Sequence, residues 1–108
     1  MLKRISIIAR KDSLSEAEFL RSWHGQHVEL VRQVPGICGY VQNAVVSGNL
    51  DNQPTIDGIA EMWFESEDTL NKALGSVEWQ SVVADGRTFL ARSQNFIVNE
   101  VIAIPPAQ

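Results

Sequence analysis

Asp57-Gly58-Ile59-Ala60-Glu61-Met62-Trp63-Phe64-Glu65-Ser66 is the stretch that decides the fold. Ala60, Met62 and Phe64 alternate with Ile59 and Trp63, with Glu61 between those two, so a strand here offers apolar side chains to both of its sides. Ser66, followed by Glu67 and Asp68, is an N-cap with acids in the first turn, where the helix dipole favours them. Leu70, Ala73 and Leu74 continue that helix. A strand that is apolar on both faces and runs into an amphipathic helix belongs to a sheet covered by helices on one side and by something else on the other.

Working outward, Ile37 to Ser47 reads as an extended run with Val41, Val45 and Val46 around Tyr40, and residues 48–54 form a polar loop. Leu2 to Arg10 is β-branched and free of breakers. Ser15 and Glu18 have the spacing of a capping box, and apolar residues at 19, 20, 23, 30, 31 and 34 keep a helical rhythm up to Pro35-Gly36, which predicts a helix over 15–33. Downstream, Gly75-Ser76 interrupts the second helix, and Trp79, Val82, Val83, Phe89 and Leu90 resume helical spacing, so that helix is split or kinked. The last strand is expected over 95–104.

The order β-α-β-β-α-β is the ferredoxin-like α+β pattern, a four-stranded antiparallel sheet with two helices on one face. It fills a single domain over 1–104, with a tail at 105–108 that opens on Pro105-Pro106. Because both helices cover the same side, a second copy of the sheet is the economical cover for the other, which predicts a homodimer built as a dimeric α+β barrel.

Composition narrows the partners. Nine Lys and Arg against thirteen Asp and Glu give a net charge of −4, and the cations are scattered, which argues against nucleic acid. No run approaches the ~20 apolar residues of a membrane span, and Met1 to Arg10 lacks the apolar core of a signal peptide. The lone cysteine, Cys38, excludes an internal disulfide and fits a reducing cytoplasm. At 108 residues the domain can bury one core, whereas a large self-contained cavity is harder to supply.

Several stretches together resemble the EthD family of dimeric α+β barrel proteins. They are Phe19-Leu20-Arg21-Ser22-Trp23, His27-Val28-Glu29-Leu30-Val31, Pro35-Gly36, Tyr40-Val41-Gln42-Asn43, the 57–66 segment, and Ser76-Val77-Glu78-Trp79. The resemblance implies the barrel fold and a small organic ligand held between helices and sheet. It leaves the chemistry open among isomerases of the methylmuconolactone type, polyketide cyclases and cofactor-free monooxygenases.

On a helical wheel His27 lies roughly 20° from the mean apolar direction of the first helix, and His24 roughly 80° away. A core-facing imidazole can act as general acid or base near neutral pH, or serve as a hydrogen-bonded structural group. The resemblance implies that His27 matches a pocket histidine of the isomerases and that Tyr40 and Met62 face it from the sheet. Strand parity agrees, since Cys38, Tyr40 and Gln42 share one side, as do Ala60, Met62 and Phe64. Tyr40 could hold a developing enolate or lactone oxygen, or simply pack.

The isomerases carry a cysteine where Met62 stands, which puts methylmuconolactone isomerisation itself in doubt; Cys38 is a conceivable substitute thiol. Trp23, Met62 and Phe64 are expected to line the ligand pocket. Asn43 and Glu61 fall on the opposite parity and would form a polar site inside the barrel, with Arg4 or a partner-chain group pairing Glu61. No phosphate loop or metal-ligand set is present, so neither cofactor nor metal is expected: Gly36-Ile37-Cys38-Gly39 opens a strand rather than a helix.

The expected function is therefore a cofactor-independent isomerase, cyclase or lyase acting by proton transfer on a small apolar carbonyl, lactone or phenolic compound. A cofactor-free monooxygenase, or a non-catalytic binding protein for a hydrophobic metabolite, are the alternatives.

Overall fold

Three serines set where the helices begin. The Ser15 hydroxyl accepts from the Glu18 amide at 3.1 Å while the Glu18 carboxylate accepts from the Ser15 amide at 3.0 Å. Ser66 and Thr69 make the same reciprocal pair at 3.2 and 3.1 Å, and Ser76 accepts from the Trp79 amide at 3.1 Å. Each cap satisfies amides that the first helical turn leaves without partners.

The computed structural model describes residues 1–49 and 55–107. Most of the polar loop expected over 48–54 lies outside the described residues, as does Gln108. The first helical segment comprises α1 (Glu16–Ser22), a π-helical turn (Trp23–His27) and α2 (Val28–Arg32). The second comprises α3 (Glu67–Leu74) and α4 (Val77–Gly86), split at Gly75-Ser76 as the sequence predicts. Pro35-Gly36 ends the first, with Gly36 at φ 88°, a left-handed conformation that glycine adopts without penalty.

Strands β1 (Leu2–Arg10), β2 (Gly39–Ala44), β3 (Gly58–Phe64) and β4 (Leu90–Asn99) form an antiparallel sheet in the order β2-β3-β1-β4, the ferredoxin-like arrangement. Register fixes the faces. Arg4 pairs with Met62 and Ile97, Ser6 with Ala60 and Asn95, and Tyr40 with Met62, so these residues share the helix-covered side. Lys3, Ile5, Glu61, Trp63, Val41 and Phe96 share the open side.

Two apolar clusters fill the space between helices and sheet. Val31, Val34, Met62, Phe64, Leu70, Ala73 and Val82 form one, and Ile8, Phe19, Trp23, Ala60 and Phe89 the other. Gly58 lets the second cluster close: a Cβ there would stand 2.6 Å from Cη2 of Trp23.

The last strand corrects the sequence reading. It spans Leu90–Asn99 rather than 95–104, and Phe89 and Leu90 lie beyond the helix, which stops at Gly86. Long-range pairing with β1 decides this, since Ser93 and Arg92 pair with Ile8 and Ala9, and a register shift at Ala9/Arg10 brings Leu90 opposite Arg10. The polar run Arg92-Ser93-Gln94-Asn95 hides the strand from periodicity, because an edge strand lacks the apolar alternation of a buried one.

Candidate functional site

The π turn places Trp23 and His27 on the same inward side, at 1% and 8% exposure, with His24, Gly25 and Gln26 exposed between them. Their side chains form part of the roof of a cavity of about 340 Å³ that lies between the two apolar clusters. Trp79, Val82, Val83 and Gly86 of α4 complete the roof. Arg4, Ser6 and Ile8 of β1, Tyr40 of β2, Ala60 and Met62 of β3, and Leu90, Ser93 and Asn95 of β4 make the floor.

Asp85 of α4 fixes the orientation of His27, its Oδ2 lying 2.9 Å from Nδ1. The edge of the imidazole meets Phe89, ring centroids 5.2 Å apart. A carboxylate is acceptor-only when ionised, so Nδ1 carries the hydrogen, and in the neutral imidazole Nε2 is then the nitrogen with the lone pair. Nε2 has no protein hydrogen-bond partner among the described residues and belongs to a side chain that lines the cavity.

Tyr40 is half-buried, and burial pushes its phenol above the ordinary 10.0 although a hydrogen bond from Gln42 opposes that rise. Gln42 Nε2 donates to the phenol oxygen at 2.9 Å and to the Trp23 carbonyl at 2.8 Å, and His24 Nδ1 stands 2.5 Å from Gln42 Oε1. With its oxygen already accepting from Gln42, the phenol has its own hydrogen available for a ligand.

Arg4 lies with Cζ 4.9 Å from the centre of the Trp79 ring, and Nη1 donates to Ser6 Oγ at 3.0 Å. Ser6 Oγ in turn donates to Asn95 Oδ1 at 2.7 Å. Burial lowers the Arg4 pKa from its ordinary value, and a guanidinium is a cation at any physiological pH.

Of the residues singled out from sequence, the structure brings together His27, Tyr40, Trp23 and Met62 around this cavity. Phe64 is not among them: at 0% exposure it belongs to the core cluster with Val31 and Leu70, one pleat beyond Met62. Cys38 is exposed, sits against the Trp63 carbonyl at 3.2 Å and lines a second depression with Val28, Arg32 and Ile37, so it is not among the residues that line the His27 cavity.

Asn43 and Glu61 occupy the open side, joined at 3.0 Å. Lys3, not Arg4, pairs with Glu61, because register assigns Arg4 to the opposite face. Lys3 also meets Glu100 at 2.5 Å, and Glu100 accepts from Trp63 Nε1 at 3.0 Å.

Sequence reading missed Arg4, Gln42 and Asp85 as site residues. Each left a faint signal: Arg4 and Ser6 are polar at the parity of Ile8, Gln42 shares the parity of Tyr40, and Asp85 is an acid beside the apolar stripe of Trp79, Val82 and Gly86.

A model of the EthD domain matches residues 11–93. Among solved structures, an ethyl tert-butyl ether D (EthD) family protein from Bacillus halodurans superposes with a TM-score of 0.79 at 20% identity, over 94% of this chain and 99% of that one. A dimeric ferredoxin-like protein of unknown function from Thermobifida fusca gives 0.67 at 14% identity, over 90% and 88%. SnoaB, a cofactor-independent oxygenase from Streptomyces nogalater, gives 0.69 at 12% identity, over 97% of each chain. No curated protein matches the sequence significantly.

Proposed function

The chain belongs to the EthD family, and from that premise we propose that it is a cofactor-independent enzyme acting by proton transfer on a small carbonyl, lactone or phenolic compound held in the helix–sheet cavity. One observation carries this reading: an imidazole oriented by a carboxylate and a phenol with a free hydrogen line the same cavity of about 340 Å³, whose other walls are mostly apolar.

In this mechanism Nε2 of His27 removes a proton from the carbon next to the substrate carbonyl, and the electron pair moves onto the carbonyl oxygen as an enolate. Asp85 stabilises the imidazolium that results. The Tyr40 hydroxyl donates to the enolate oxygen, where charge develops in the transition state. Return of the proton from the imidazolium to a different atom of the enolate completes an isomerisation; in a cyclisation the enolate carbon attacks a second carbonyl, whose π pair moves onto its oxygen, and that alkoxide takes the proton back from the imidazolium. Met62 and Trp23 serve as apolar wall, which keeps water from the enolate.

The test needs no known substrate. In D₂O, wild-type protein should catalyse deuterium exchange next to the carbonyl in a panel of small lactones and phenolic ketones, followed by NMR. His27→Gln should slow exchange roughly 10²-fold or more. Undiminished exchange in that variant overturns the assignment.

A second reading is favoured by the oxygenase neighbour: His27 would instead deprotonate a phenol that then reacts with oxygen, and oxygen uptake with candidate phenols separates the two. The non-catalytic alternative predicts tight retention of a hydrophobic compound with no exchange and no uptake. We further assign a second copy of the chain to the open side of the sheet, where Val41 and Phe96 are 42% and 51% exposed. That reading is supported by the dimeric neighbour, and a monomer in sedimentation at micromolar concentration overturns it. With Cys38 as its single cysteine, the protein fits a cytoplasmic setting.

A further inference from the structure

The charge balance of the cavity is unlike that of the whole chain. The protein carries a net charge of −4, yet Arg4, Arg87 and Arg92 line the cavity and no Asp or Glu does so among the described residues. Asp85 stands behind His27 and is engaged by it. Of the three arginines, Arg92 is exposed on β4, where it donates to the Thr55 carbonyl at 2.8 Å, and Arg87 is exposed at the end of α4. Arg4 is the one set into the floor.

Its neighbours on β1 show what a cation on this strand ordinarily has. Lys3 is met by Glu61 and Glu100, and Arg10 has Asp57 at 3.5 Å. Arg4 has no carboxylate among the described residues. Among the described residues its side-chain hydrogen bond goes to the Ser6 hydroxyl, using one of five guanidinium N–H groups, and its cation–π contact is with the Trp79 ring. Arg4 is half-buried, and a partly desolvated cation without a counter-ion carries a cost that a bound anion lowers.

We propose that Arg4 is an anion-recognition residue and that the ligand of this cavity is a small organic carboxylate, held by the guanidinium fork at the β1 floor while its apolar body fills the space toward His27 and Met62. A planar guanidinium matches a carboxylate with two parallel N–H bonds, which a lysine cannot reproduce. Ser6, donating to Asn95 while accepting from Arg4, holds the fork in place. The inference rests on the cavity being the ligand site and specifies which class of compound enters it.

The test compares 4-phenylbenzoate with 4-phenylbenzamide, the same shape with and without charge, by titration calorimetry on the full chain. Wild-type protein should bind the carboxylate roughly 10- to 100-fold more tightly than the amide. Arg4→Gln should bring the two within about 2-fold, with amide affinity retained as evidence of an intact pocket, and Arg4→Lys should keep only part of the preference.

Equal affinities in the wild type overturn the proposal while leaving the ligand pocket standing, and need no variant to fold. Preference persisting in Arg4→Gln overturns the role of Arg4. Failure of the wild type to bind either compound overturns the ligand pocket and this proposal with it.

Discussion

Asp85 determines which nitrogen of His27 can act as a base. Replacing it by Asn keeps a group of the same shape but lets its carbonyl or its amide face Nδ1, and removes the charge that steadies an imidazolium. Asp85→Asn should therefore lower the exchange rate constant by about 10²-fold with KM little changed, which separates a positioning role from loss of binding. Gly58 is the other sensitive position. Its Ala variant would press a methyl to within 2.6 Å of the Trp23 indole, so chemical denaturation should show a loss of about 1–3 kcal/mol. His27 was legible in the sequence because helical spacing alone places it on the apolar side. Arg4 and Asp85 left only faint signals: which face a β1 residue takes depends on register with β3, and Asp85 meets His27 from another helix 58 positions along the chain.

Among the elements, the π turn is the unusual one. A straight α-helix was the natural reading of residues 15–33, and the segment does run without a break from Glu16 to Arg32. The wider turn takes up one extra residue, and such insertions recur at functional sites. Gly25 stands in it with open space around its missing Cβ and without a positive φ. Gly25→Ala should therefore raise stability by about 0.5–1 kcal/mol in thermal or chemical unfolding. Deleting Gly25 should instead return the turn to α geometry with Val31 still on the core side, because the wider turn is what absorbs the extra residue. A cooperative transition retained in that deletion is the expected outcome. The strand starts were less legible than the helix caps for a related reason: Ser15, Ser66 and Ser76 act on amides three residues away, whereas β4 is set by its ladder to β1.

At the scale of the molecule, the open side of the sheet carries the cluster of Lys3, Glu61 and Glu100. Hydrogen bonds from Lys3 hold both carboxyls below their ordinary 4.5, and those same bonds hold the ammonium of Lys3 above 10.5. For the two glutamates the unfolded chain binds protons more readily, so their stabilisation is complete above about pH 4.5 and is lost as pH falls through the depressed folded values. For Lys3 it is complete below about 10.5 and lost as pH rises through the raised value. Glu61→Gln should flatten the acid limb of the stability curve measured by denaturation between about pH 5 and 3. That the sheet needs cover on both sides was readable from the alternation in 57–66, while the identity of the cation was not. Lys3 and Arg4 are consecutive in the central strand and point to opposite sides of it. A single peptide unit thus separates the proposed ligand site from the proposed dimer face, so a matched pair of variants, Lys3→Gln and Arg4→Gln, should act as separation-of-function alleles. The first should alter self-association and acid tolerance with ligand preference intact, and the second should do the opposite.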